Sequence, residues 1–313
     1  MATSSKPPAK GGPVHIYYAE ANVLSADLKQ PLEEKIPPRV QVKLPSNGRY
    51  RFKKASSFHF EGIISYQSAY SQVAGHPSSK SDGSATLATA VVEGLNVLDV
   101  VTADRVVAQI STVHPVFGTG QVPSVTFLGT RFENLRIGGH KIKVTRKLDI
   151  LGAKPAGDKS YFEDPGVQSR VSLQYDKVAT AVGHPELAAA AYPKGRAGVI
   201  GSDELQCSLV DSVEGEPEEA KPEEAKSGEA GPKVSYGGTS FGHVIDVPHF
   251  GKIFLAELRV ERKPGVPGKR VYDTYEFHLT MIRLEMGCIA QGSAAVAALD
   301  TNGTGQPPPA PGH

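Results

Sequence analysis

The chain has 313 residues with 34 Lys and Arg against 33 Asp and Glu, is 39% hydrophobic and contains no Trp. That length allows one large or two modest domains with a real core, and no window approaches the ~18 apolar residues a membrane-spanning helix needs. Gly 33 and Pro 24 make 57 of 313 residues, about 18% against roughly 12% in average usage, which points to a loop-rich chain rather than a helical one.

In chain order, residues 1–13 read as a Pro/Gly/Lys-rich tail that cannot bury enough apolar surface to offset its chain entropy. MATSSKPPAKGG has no apolar signal-peptide region, so the chain as written reads as cytoplasmic. Tyr17, Tyr18, Tyr50, Tyr66 and Tyr70 are dense in the first quarter. RYRFKK, Arg49 to Lys54, interleaves basic and aromatic residues as single-strand nucleic-acid binders do. The candidate ligand-binding residues are therefore Tyr17, Tyr18, Tyr50, Arg49, Arg51, Lys53 and Lys54. A strand packing its rings with hydroxyls at the rim, or a solvated basic face, gives the same pattern without a ligand.

His59 and Glu61 fall two apart, as do Glu276 and His278. On strands each pair would share a face, and two such pairs on adjacent strands would assemble a His₂Glu₂ metal site. No HExxH or short HxH pair anchors that geometry, and no cofactor is expected from the sequence.

Ala85–Val113 and Val122–Val144 are rich in Val, Ile and Thr, punctuated by Asn, Asp and Gly, and each predicts two or more strands. Three hexamers, FEGIIS (60–65), VEGLNV (92–97) and FENLRI (132–137), share an apolar-Glu-Gly/Asn order that is either a weak repeat or a recurring strand edge. The best helix is Pro185 to Tyr192, with Pro at a first-turn position and Pro193 ending it. Between Asp211 and Gly231 eight acids stand against two lysines, a net −6 that leaves +7 for the rest of a chain whose total is +1. This acidic insert, 211–233, includes the near-repeat PEEAKPEEAK and reads as a solvated loop. A body at +7 is too weakly basic to track a phosphate backbone, which argues against nucleic acid as partner.

GTSFG, Gly238 to Gly242, matches the GxSxG of a nucleophile elbow and makes Ser240 a candidate nucleophile, but HVIDVPHF after it alternates like strand, so no helix supplies the oxyanion dipole. Gly251–Lys263 and Lys269–Met286 then predict an antiparallel hairpin turned by PGVPG. Residues 300–313 read as a second tail. Cys207 and Cys288 are too few for a disulfide framework and read as core thiols.

GSATLATAVVEGLNVLDVVTADRVVAQIST (Gly83–Thr112) and HVIDVPHFGKIFLAEL (His243–Leu258), continued by FHLTMIRLEM and CIAQGSAAVA, resemble the choice-of-anchor P family of secreted actinobacterial-type β proteins. The resemblance implies a β architecture, no activity, and an extracellular or cell-surface setting if the chain is processed.

The expected fold is all-β, an antiparallel sandwich or short solenoid-like body over 14–299, with one short helix, disordered termini, and one domain or two packed domains divided near 150–170. The expected function is a non-catalytic structural or interaction protein, self-associating through strand edges or bound to a surface glycan or protein. The alternatives are a carbohydrate- or ligand-binding module using the Tyr cluster, and third a serine or metal-dependent hydrolase.

Overall fold

The computed structural model describes residues 15–77, 83–115, 122–156, 159–181, 184–199, 201, 203–215, 238–263, 273–287 and 291–302. The N-terminal stretch 1–13, the acidic insert from 216 on, the PGVPG turn and Cys288 lie outside the described residues.

The elements run β1 (Ala19–Gln30), β2 (Glu34–Arg39), β3 (Val42–Lys43), β4 (Arg49–Ala55), β5 (Phe58–Phe60), β6 (Ile64–Tyr66), β7 (Ser68–Pro77), β8 (Ser84–Val97), β9 (Val101–His114), β10 (Ser124–Thr126), β11 (Arg131–Glu133), β12 (Arg136–Ile137) and β13 (His140–Arg146). Three helices follow, α1 (Pro165–Ala179), α2 (Pro185–Ala191) and α3 (Gly195–Val199). The chain closes with β14 (Glu204–Ser208), β15 (Val210–Gly215), β16 (Thr239–Phe241), β17 (Val244–Val247), β18 (Gly251–Lys263), β19 (Thr274–Met286) and β20 (Gln291–Asn302). The fold is an antiparallel sandwich. Sheet one has the order β16-β17-β18-β19-β20-β1-β2, with β14 on β18 and β3 on β1. Sheet two has the order β15-β13-β12-β9-β8-β6-β5, with β10 and β11 on β9 and β7 joining β8 to β4.

The two sheets face each other through β1, β19 and β20 on one side and β7, β8 and β9 on the other. Alternation decides which side chains point inward: along β7, Ala69, Ser71, Val73 and Gly75 are buried while Ser68, Tyr70, Gln72 and Ala74 are partly exposed. Small inward residues recur on the facing strands, with Ala88, Ala90 and Ala108 in sheet two and Ala19, Ala21 and Ala297 in sheet one, all buried. They let the strands approach, while Val92, Val106, Ile110, Leu24 and Val296 fill the space between them. The described buried apolar residues other than Val91 and Val107 form one cluster, to which Ile150, Tyr161, Val171 and Leu187 of the 150–199 region belong.

The 15-residue helix α1 departs from the expectation of a single short helix. Asp164 caps it, its carboxylate accepting the Val167 N–H at 2.9 Å, and Pro165 occupies the first turn. Its buried stripe is Val167, Val171, Gln174 and Val178, the spacing of one helix face. Gln174 sits where the chain crosses from sheet one (β14) to sheet two (β15) over the single residue Leu209. Its Nε2 donates to the Ser208 and Val210 carbonyls at 3.0 and 2.9 Å, and its Oε1 accepts the Ser208 N–H at 2.6 Å. A strand pair cannot close its own hydrogen bonds at such a crossing, and the buried amide supplies them.

β18 also changes partner within its length. Gly251–Phe254 pair with β17 and Glu257–Glu261 with β14, and at the changeover Ala256 adopts φ 48° with its carbonyl accepting the Leu209 N–H at 2.9 Å. The β18–β19 hairpin and α2 form where the sequence predicts them. β20 continues to Asn302 and β15 covers 210–215, so the first residues of the expected tail and of the expected acidic loop are strand.

The three related hexamers share a left-handed residue at their third position, Gly62 (φ 68°), Gly94 (φ 63°) and Asn134 (φ 50°). They serve different ends: a turn between β5 and β6, a break in the β8–β9 ladder, and a corner between β11 and β12. A local backbone need, not a repeated unit, accounts for the shared Gly/Asn.

Candidate functional site

The outward face of sheet two is built by the register of four strands. Phe52, Gln72, Thr89 and Gln109 stand opposite one another across β4, β7, β8 and β9, and the adjacent row is Lys54, Tyr70, Val91 and Val107. Tyr50 and Phe52, two apart on β4, project from this face 55% and 49% exposed. Their rings stack with centroids 6.5 Å apart and planes 10° apart, and Phe52 lies 5.8 Å from Tyr70. Beside the rings runs a polar ladder: the Tyr50 hydroxyl donates to Gln72 Oε1 at 3.4 Å, and the Gln72 and Gln109 amides each donate to Thr89 Oγ1, at 3.5 and 3.3 Å. At the far end Arg105 donates to the Tyr70 hydroxyl at 3.3 Å and pairs with Glu93, while Arg131 pairs with Glu133. The charges on this face are thus mostly matched.

Alternation separates the other members of RYRFKK. Arg49, Arg51 and Lys53 point to the opposite side of β4, where the strand overhangs the sandwich and is exposed on both faces. The Tyr cluster also divides. Tyr17 is buried in the core, its hydroxyl donating to Ser84 Oγ at 3.3 Å and its ring edge-on to His15. Tyr66 is buried as well. Tyr18, 40% exposed, belongs to sheet one, near Asp300 and Glu20. Of the aromatic candidates only Tyr50 and Tyr70 stay together, and they gain Phe52.

The outward face of sheet one carries a second, charged site. A cleft of about 630 Å³ lies under α2, with Glu257, Arg259, His278, Arg283 and Asp300 among its walls. Arg283 forks onto Glu257, Nε to Oε2 at 2.6 Å and Nη2 to Oε1 at 2.9 Å, and its guanidinium lies 3.6 Å from the Phe254 ring centroid. Beneath α2 the Cys207 thiol is fully buried and pushed well up from its usual range by burial, which makes it an inert core thiol.

The four residues of the expected His₂Glu₂ site do not meet. His59 and Glu61 belong to sheet two and Glu276 and His278 to sheet one. Glu61 does not even share a strand face with His59, because β5 ends at Phe60 and Glu61 turns into the left-handed region (φ 46°). The His59 Nε2 accepts the Gly62 N–H of that turn at 3.2 Å. Glu276 and His278 instead meet Glu261, which faces Glu276 across β18 and β19. Ser240 lies in the three-residue strand β16 and donates to the Val213 carbonyl at 2.9 Å, with strand β17 rather than a helix after it. The GxSxG residues form a hairpin, so the hydroxyl bridges β16 to β15.

A family model described as a domain of unknown function (DUF8256) matches residues 15–261. The chain belongs to the DUF8256 family. No curated protein matches the chain. The span matched by DUF8256 contains the whole aromatic face of sheet two, whereas Glu276, His278, Arg283 and Asp300 of the sheet-one cleft lie beyond it. Among the described residues no helix is long and apolar enough to cross a membrane.

Proposed function

We propose that the protein is a non-catalytic binding module that takes a neutral carbohydrate chain on the outward face of sheet two. The observation that carries this reading is the exposed, near-parallel Tyr50–Phe52 pair standing beside the Gln72–Thr89–Gln109 ladder. Aromatic faces offer flat apolar area to the C–H side of a sugar ring, and amides with donor and acceptor on one group suit its hydroxyls. The exposed rings stand on the outer strand β4, with Thr89, Val91 and Val107 buried further in, and such an open edge fits an extended polymer better than a small molecule, which favours a concave pocket. With Arg105 and Arg131 matched by Glu93 and Glu133, Lys54 is the positive charge left beside the rings, less than a polyanion would need.

Self-association through strand edges has weaker support. β4 carries Arg49, Arg51, Lys53 and Lys54, β2 carries Pro37 and Pro38, and β5 and β16 are three residues long. Charge, proline and shortness are the devices that keep edges from pairing.

Affinity electrophoresis in gels containing neutral polysaccharides tests the proposal. Retardation by at least one polysaccharide, lost in Tyr50→Ala/Phe52→Ala while the melting temperature is kept, is the expected result. An unretarded parent protein across neutral glucans, mannans and galactans, or retardation that the double variant keeps, would overturn it.

A further inference from the structure

We propose that Glu261, Glu276 and His278 form a divalent-cation site of the zinc class on the outward face of sheet one, with Asp300 behind the histidine. Register alone assembles it. Glu276 and His278 lie two apart on β19 and share a face, Glu261 is directly opposite Glu276 on β18, and Asp300 is directly opposite His278 on β20. One donor atom from each of Glu261, Glu276 and His278 lies within 4.8 Å of the others.

The state of His278 points to a cation rather than to a simple charged face. A carboxylate only accepts, so the 2.6 Å contact between Nδ1 and Asp300 Oδ1 places the ring proton on Nδ1. The other nitrogen, Nε2, is buried and has no hydrogen-bond partner among the described residues. It faces Glu276 Oε2 at 3.8 Å and Glu261 Oε2 at 3.9 Å. An unpartnered ring nitrogen turned toward two carboxylates, with the opposite nitrogen held by a third, matches the arrangement of a metal-bound imidazole and its supporting carboxylate. Tetrahedral zinc with bonds of ~2.0–2.2 Å sets its donors about 3.3 Å apart, so each carboxylate needs to close on Nε2 by roughly half an ångström.

Two neighbouring cations compete unequally. Arg259 holds Glu261 through Oε1 at 3.0 Å and leaves Oε2 free for a metal. Lys263 holds Glu276 through Oε2 at 2.6 Å, the oxygen that faces the histidine. Lysine is therefore the group a metal displaces, and its removal tightens binding. The other His-carboxylate group, His184 with Glu186 and Asp246, is more open, and His184 Nδ1 is the atom that faces both carboxylates, at 3.3 and 3.7 Å. Among the described residues nothing comparable to Asp300 orients that ring from behind, so it serves as the internal control.

The test is isothermal titration of the chelator-stripped full chain with ZnCl₂. One equivalent is expected to bind. His278→Gln and Glu276→Gln each lower the affinity at least about tenfold, Asp300→Asn lowers it by about 10–100-fold, and His184→Ala leaves it unchanged. Lys263→Ala raises it. Far-UV circular dichroism checks that each variant is folded, and Asp300→Asn, which keeps shape and size, carries the test if a ligand variant does not fold. No zinc uptake by the parent chain would overturn the site. Uptake that survives His278→Gln and Glu276→Gln, or that His184→Ala abolishes, overturns it equally.

Discussion

His243 gives the fold a pH dependence whose size follows from its surroundings. It lies in the turn before β17, 1% exposed, with its backbone carbonyl accepting the Leu255 N–H at 3.0 Å and its ring edge-on to Tyr192 at 5.8 Å. Burial strips the imidazolium of water, and the Arg283 charge opposes a second cation, so the pKa falls from 6.5 to about 3. Between those two values the unfolded chain binds a proton that the folded chain refuses. Stability therefore rises with pH through that window, is complete above pH 6.5, and is lost as the pH falls below it. Linkage with these two pKa values gives a loss of about 2 kcal/mol between pH 7 and pH 5. Urea unfolding followed by circular dichroism at pH 7 and pH 5, on the parent chain and on His243→Leu, isolates the contribution. His15, which burial lowers to about 4, acts in the same direction but is common to both proteins and cancels. The parent should lose about 2 kcal/mol more than the variant, and equal losses in the two proteins would refute the assignment.

Three further outcomes follow from single contacts. Gln174→Ala leaves the Ser208 N–H and the Ser208 and Val210 carbonyls without their buried partner and should cost about 3–5 kcal/mol in urea unfolding. Gly251→Ala should cost about 2–4 kcal/mol, because the residue sits at φ 130° and a Cβ would lie 2.1 Å from the Glu285 carbonyl oxygen. Ser240→Ala removes one hydroxyl bond to the Val213 carbonyl and should lower stability by only about 1 kcal/mol, read as a small shift in melting temperature.

The parts of the fold legible in the sequence are those governed by near neighbours. The β18–β19 hairpin shows itself through long alternating runs, and α2 through Pro185 at its start and Pro193 beyond its end. α1 escaped because three of its four buried positions are Val, which reads as strand, and the fourth is Gln174, whose polarity breaks the apolar stripe. Asp164 followed by Pro165 was the surviving signal. The same limit governs the sites. Tyr50 with Phe52, and Glu276 with His278, are visible as residues two apart. Glu261 and Asp300 join His278 only through the register of β18, β19 and β20, which depends on turns and packing distributed along the sheet. The pairing of His59 with Glu61 failed because alternation holds only inside a strand, and β5 stops one residue short of Glu61.

The two outward faces differ in how their polar groups are satisfied, and that difference separates binding from cation chemistry. On sheet two the polar groups satisfy one another in neutral or matched pairs, Gln72 and Gln109 on Thr89 and Arg105 on Glu93, while the flat area of Tyr50 and Phe52 is left to solvent. A ligand there gains by covering apolar rings and displacing loosely held water, so weak contacts repeated along a polymer suffice. On sheet one Phe254 is covered by the Arg283 guanidinium, and the unbalanced element is a buried imidazole nitrogen facing carboxylates. A buried polar atom without a partner costs free energy wherever it stands, and a cation between His278, Glu261 and Glu276 removes that cost at one point instead of along a surface. Sugar binding and zinc binding should therefore be separable by mutation: Tyr50→Ala/Phe52→Ala leaves zinc affinity intact, and His278→Gln leaves polysaccharide retardation intact.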